Sequence, residues 1–180
     1  MSKQLLDVMI DIETMGINVD APILSIGAVY FDPKTGETGK TFEMFADFET
    51  GCRNRNISPS TIKWWFEQNA TAKARLLSGK SKPSEMFNEF AKFIRPDARV
   101  WGNGATFDIS LIENSLEFHN IKTPWKFWNV RDVRTVVQLG EMIGIDRGQF
   151  KFEGTSHTPL ADALHQVRYV SAMIVALTCN

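Results

Sequence analysis

Apolar and polar positions along the chain follow two rhythms, one of strands and one of helices. Residues 5–11 are a short, mostly apolar run that ends on an acidic residue. Residues 23–31 (ILSIGAVYF) form a second run, rich in β-branched and aromatic side chains. Both read as buried strands. Asp32-Pro33-Lys34-Thr35-Gly36 is a cluster of turn formers, and residues 41–48 alternate, so a third strand is expected and with it an antiparallel meander. The rhythm then becomes helical. Ser58-Pro59 opens a helix with Ile62, Trp65 and Phe66 on one face. Asn69 caps a short helix carrying Leu76 and Leu77, and residues 84–94 place Met86, Phe87, Phe90, Phe93 and Ile94 at helical spacing. A short strand over 99–101 runs into Gly102-Asn103-Gly104, and a helix follows over 107–118. Residues 126–130 read as a strand, Asp132 caps a helix to about 143, residues 144–158 are loop-like, and 160–177 form a terminal helix. There is no repeat, low-complexity segment or linker. The order predicts one domain over residues 1–180, an α/β layer architecture with a mixed sheet covered by helices.

Composition narrows the setting. A chain of 180 residues with 43% hydrophobic and 23% charged residues can build one real core. The formal net charge of −1 does not announce a nucleic-acid partner, so any attraction to phosphate must be local or carried by bound cations. Two cysteines, Cys52 and Cys179, make neither a disulfide framework nor a zinc pattern and point to a reducing compartment. The first residues lack the layout of a signal peptide, and the longest apolar stretch is interrupted by polar and charged residues. The expectation is a cytoplasmic protein with no membrane partner.

Candidate chemistry lies in three places. Asp11-Ile12-Glu13 closes the first strand, and alternation puts both carboxylates on one face. Like charges so close are unfavourable unless a cation sits between them, although a solvated strand end accounts for an isolated Asp-x-Glu pair. Asp108 follows two glycines in the first turn of a helix, where the helix dipole alone also favours Asp. His157 precedes Pro159 at a helix start, with Asp162 in the first turn; a loop histidine suits a general base near neutral pH. The joint pattern is the informative one. Four carboxylates at strand ends and helix starts, with a histidine five residues before the last, are the parts of two-metal phosphodiester hydrolysis. That chemistry holds cations about 3.5–4 Å apart.

With these motifs the chain resembles the DEDD (DnaQ-like) exonucleases of the ribonuclease H-like fold, in the branch with a histidine in its last motif. DIETMG, NGATFDISLIENSL and HTPLADA carry the resemblance in that order. SPSTIKWWFEQ and KFWNVRDVRT are similar to segments of the phage exonuclease A and exonuclease VIII-like groups. The resemblance implies a five-stranded mixed sheet, three strands antiparallel and two further strands parallel to the first. It also implies Asp11, Glu13, Asp108 and Asp162 as ligands of two Mg²⁺ ions, Mn²⁺ substituting, and His157 as the base. The implied activity is 3′→5′ hydrolysis at nucleic-acid ends, single-stranded DNA favoured, releasing nucleoside 5′-monophosphates. Relatives are often dimers, so a homodimer is an open expectation. Met15 is a departure, standing where many relatives carry a small polar residue.

Thr14, Met15, Gly16 and Ile17 are expected beside the terminal nucleotide, with Asn103 and Phe107 as further contacts. Trp65 is expected in the core and Trp64 is a candidate for base stacking. Phe127 and Trp128 are read as core rather than platform. Arg53, Arg55, Lys73, Arg75, Lys80, Lys82, Arg131 and Arg134 are candidates to guide phosphates. Three other readings remain: an exoribonuclease trimming RNA 3′ ends, a non-catalytic nucleic-acid-binding module on the same fold, and a metal-dependent phosphatase or small-nucleotide hydrolase.

Overall fold

β1 (Asp7–Thr14), β2 (Ile23–Phe31) and β3 (Thr38–Phe45) form the antiparallel meander, and β4 (Arg99–Gly102) and β5 (Val130–Asp132) add on the other side of β1, both in parallel. The strand order is β3-β2-β1-β4-β5. The structure is a computed structural model that describes residues 4–178, so Cys179 lies outside the described residues. The helices are α1 (Phe48–Cys52), α2 (Pro59–Glu67), α3 (Ala70–Leu76), α4 (Pro83–Phe93), α5 (Ala105–Phe118), α6 (Val133–Met142) and α7 (Pro159–Thr178). No helix among the described residues is long and apolar enough to cross a membrane.

Alternation along β1 divides the core. Val8, Ile10 and Ile12 face one layer with Met86, Phe87 and Phe90 of α4 and Ile109, Ile112 and Leu116 of α5. Met9 faces the other layer, with Val133 and Val137 of α6 and Ala163, Val167 and Val170 of α7. Asp11 and Glu13 continue the Met9 row, so they emerge where β1 runs out beneath the start of α7. A smaller cluster joins Met15, Leu24 and Trp65 to Ala72 and Leu76 of α3.

The elements follow the hydrophobic pattern except at edges. β1 runs on to Thr14 because the polar Asp11 and Glu13 still pair, opposite Gly27 and Ser25 of β2. β3 begins three residues earlier than its apolar run, since an edge strand can open on exposed polar residues. Phe48 leaves it for α1, whose first turn is capped by Asp47 accepting from the Thr50 amide (3.0 Å). The strand expected over 126–130 is instead a 3₁₀ turn, Phe127–Asn129, followed by β5. Phe127 and Trp128 are 80% and 60% exposed, which overturns their assignment to the core. On α2, Trp65 is buried as expected, but Phe66 is 76% exposed. α2 is anchored to the sheet by Trp65, whose Nε1 donates to the Thr14 carbonyl (2.9 Å); Ile62 and Phe66 border an open apolar groove beside Leu77.

Candidate metal-dependent active site

The first turn of α7 rests directly on β2. Gly27 makes this possible, because a Cβ there would stand 2.2 Å from both the Leu160 nitrogen and the Pro159 carbonyl carbon. Gly27 is the register partner of Asp11. The contact therefore brings Asp162, in the first turn of α7, to the carboxylates of β1. Asp11, Glu13 and Asp162 each offer an oxygen, and the three oxygens lie within 4.8 Å of one another. Asp108 comes from the opposite side. β4 ends at Gly102, Gly104 turns the chain at φ 106°, and α5 begins. Asp108 then folds back against Gly102, where a Cβ would be 3.2 Å from its Oδ2.

Burial and mutual repulsion dominate the electrostatics. The Asp11 carboxyl is held well above its usual range by burial first, then by the charges of Glu13, Asp108 and Asp162, with a hydrogen bond from Gln166 working the other way. Burial, together with Asp162 and Asp108, raises Glu13 to about 8. Burial raises Asp108 to about 7 against the pull of backbone hydrogen bonds and the Arg134 charge. Asp162 is raised too, again by burial first. The Asp108 Oδ2 is buried without a hydrogen-bond partner. Repelling, desolvated carboxyls with an orphaned acceptor form an all-oxygen set, the donor chemistry of hard divalent cations.

His157 stands at the edge of the cluster. Its backbone is left-handed (φ 61°), it precedes Thr158, whose amide donates to Asp162 Oδ2 (2.9 Å), and its half-buried ring meets the Trp64 ring edge-on at 4.9 Å. All five residues of the expected site thus fall at one end of the sheet. Of two further participants, Gln166 was not anticipated and Asp132 was expected only as a helix cap. Gln166 donates from Nε2 to Asp11 Oδ1 (2.7 Å). Asp132 accepts from the Ala105 amide (2.7 Å) and the Thr135 amide (2.8 Å), tying the start of α5 to α6. Nothing in the sequence singles out the first, a glutamine four residues after Asp162 whose partner lies on β1.

The expected substrate contacts separate into two groups. Ile17 is 68% exposed on the β1–β2 connection, and Phe107 and Asn103 are half-buried at the start of α5. The buried Thr14 donates from Oγ1 to the Gly16 carbonyl (2.7 Å), and Gly16 is packed closely against Ala21. Met15 packs into the α2–α3 cluster, so its side chain is core and only its backbone remains for a nucleotide. Several expected phosphate guides have structural partners. Arg55 donates to the Ala21 carbonyl, Asn114 Oδ1 and Ser115 Oγ, tying the β1–β2 connection to α5. Arg75 pairs with Glu43, and Arg131 donates to the Trp128 and Val130 carbonyls.

A sheet of this order, with carboxylates at the end of β1 and the starts of α5 and α7 and a histidine just before the last, has the ribonuclease H-like layout expected from the sequence, and comparison with known proteins places it among 3′-5′ exonucleases. A family model, the 3′-5′ exoribonuclease Rv2179c-like domain, matches residues 6–174, and the chain belongs to that family. An exodeoxyribonuclease of Enterobacteria phage T4 is 26% identical over 162 residues, covering 73% of this chain and 70% of the relative. Many solved structures share the fold, two of which illustrate it. The nuclease domain of 3′hExo, a DEDDh family member bound to rAMP, has a TM-score of 0.59 at 15% identity and covers 93% of this chain and 90% of its own. Pop2p of S. pombe, in its Mg²⁺- and Mn²⁺-bound form, has a TM-score of 0.61 at 13% identity and covers 93% of this chain and 82% of its own.

Proposed function

We propose that this protein removes nucleotides from nucleic-acid 3′ ends, releasing nucleoside 5′-monophosphates, with Asp11, Glu13, Asp108 and Asp162 holding two Mg²⁺ ions and His157 acting as general base. The observation that carries the reading is the meeting of carboxylates from β1 and α7 within 4.8 Å, where burial and repulsion make them poor company without cations. Divalent cations held there would supply positive charge that stabilises the charge developing on the phosphate and favours ionisation of water. The protein's own groups do the rest. Asp11, whose charge meets those of Glu13, Asp108 and Asp162, would be a ligand to the cations. His157, on the loop and half-buried beside Trp64, takes the proton from water. Ile17 and Phe107 flank the terminal base, Asn103 meets the terminal sugar or phosphate, and the backbone over residues 14–16 lies alongside.

Single-stranded DNA is the favoured substrate, and the name of the phage T4 relative, an exodeoxyribonuclease, supports the choice of DNA. RNA is the second reading, favoured by the family's description as exoribonuclease. The test uses matched DNA and RNA strands, labelled at either end, single- and double-stranded, with Mg²⁺ or Mn²⁺ and an EDTA control. Stepwise shortening from the 3′ end, dependent on the cation, is expected. Release of mononucleotides from the 5′ end overturns the polarity. Hydrolysis of a dinucleotide with none of any polymer assigns the site to a small-nucleotide hydrolase instead.

A further inference from the structure

We infer that Gln166 is a positioning residue of the metal centre, its side-chain amide fixing the Asp11 carboxylate in the orientation that receives the cations. The inference rests on the reading of Asp11 as a ligand. Gln166 is 4% exposed on α7, one helical turn beyond Asp162, so the two side chains share a stripe of the helix. Its buried neighbours Ala163, Val167 and Val170 are apolar core residues. An amide in such a place is unfavourable unless its hydrogen bonds are made. Only one is: Nε2 donates to Asp11 Oδ1 at 2.7 Å, while Oε1 is buried without a partner. Three other such orphaned atoms are close by in the fold. Asp108 Oδ2 is in the cluster, Asn103 Oδ1 is at the turn into α5, and Ser25 Oγ lies on β2 opposite Glu13.

A methionine or leucine would fill the same space without an orphaned oxygen. What the amide adds is a donor to Asp11, and it is a neutral one. A lysine or arginine there would bring a charge that competes with the cations, whereas an amide orients the carboxylate and leaves its second oxygen free. Because Asp162 and Gln166 lie one turn apart on a helix seated on Gly27, one element sets both a ligand and the group that aims another ligand. Outer partners of this kind govern metal affinity in many sites.

Gln166→Met keeps length and burial and removes the donor. Mn²⁺ binding is measured by isothermal titration, DNA cleavage is followed against Mn²⁺ concentration, and unfolding temperature is read in EDTA. The expected result is a variant that unfolds in EDTA at or above the parental temperature, binds Mn²⁺ about 10- to 100-fold more weakly and recovers cleavage at high Mn²⁺. An Mn²⁺ Kd within about twofold of the parent, for a folded variant, overturns the inference whatever happens to cleavage. If Gln166→Met does not fold, the same criterion is applied to Gln166→Asn, which withdraws the amide by one methylene. Asp11→Asn is measured alongside. Parental Mn²⁺ binding by Asp11→Asn overturns the reading of Asp11 and this inference with it. Lost binding there with parental binding in Gln166→Met removes only the role of Gln166.

Discussion

At the scale of single residues, the clustered carboxylates cost stability wherever they are charged. Burial raises Glu13 to about 8 and Asp108 to about 7, so both favour the protonated form near neutrality. Asp11→Asn removes one of the repelling groups. It is expected to raise the unfolding temperature in EDTA while cutting cleavage on the order of 10³-fold, since metal catalysis contributes several kcal/mol. A variant that cleaves at the parental rate under saturating Mn²⁺ removes Asp11 from the reaction. His157→Ala is expected to lose about 10²- to 10⁴-fold in kcat while keeping Mn²⁺ affinity. A matching fall in affinity would make it a metal-site residue instead. The convergence of the candidate carboxylates was legible because strand alternation and helix starts say where a carboxylate points. Gln166 was not, because a glutamine on an otherwise apolar helix stripe announces nothing until its partner on β1 is known.

At the scale of elements, the site depends on how closely α7 approaches the sheet. Gly27 in the middle of β2 is the residue that permits it, with helix backbone 2.2 Å from where a Cβ would be. Glycine inside a strand weakens pairing and marks a close backbone approach, so a signal was present in ILSIGAVYF. What approached it could not be read, since 131 residues separate Gly27 from Pro159. Gly27→Ala forces backbone to move. We expect about 2–4 kcal/mol of destabilisation in urea unfolding and a fall in cleavage larger than stability explains, because Asp162 and Gln166 leave Asp11 together. Parental activity in this variant would show that α7 is not the element that aligns the cluster. Pattern reading failed where elements meet solvent rather than core. β3 opens on exposed polar residues, and the aromatic pair Phe127–Trp128 stands on a surface turn instead of filling a strand. Hydrophobic rhythm reports burial, and an edge strand or an exposed aromatic turn has little of it.

At the scale of the whole molecule, the acidic cluster makes stability depend on pH and cation together. The cluster's carboxyls bind protons more tightly in the folded chain than in the unfolded one. The unfolded state releases them near 4, whereas the folded state keeps those of Asp108 and Glu13 up to about 7 and about 8. Metal-free stability attributable to them is therefore full below the unfolded value and falls as pH rises through the folded ones. Burial acts oppositely on His119 and His165, lowering both, so their contribution grows with pH and is complete above the ordinary histidine value of 6.5. The window from about 6.5 to about 8 isolates the carboxyls. Across it, the unfolding temperature in EDTA is expected to fall. In excess Mn²⁺ it should hold or rise, because cations displace the remaining protons and bind more tightly as pH increases. At about 100-fold excess over Kd, the cation adds about 2.7 kcal/mol, or roughly 5–10 °C for a chain of this size. The decisive quantity is the difference between the two unfolding curves. A difference that widens with pH means that protons and cations compete for one acidic centre, and a constant difference means that the cations bind elsewhere.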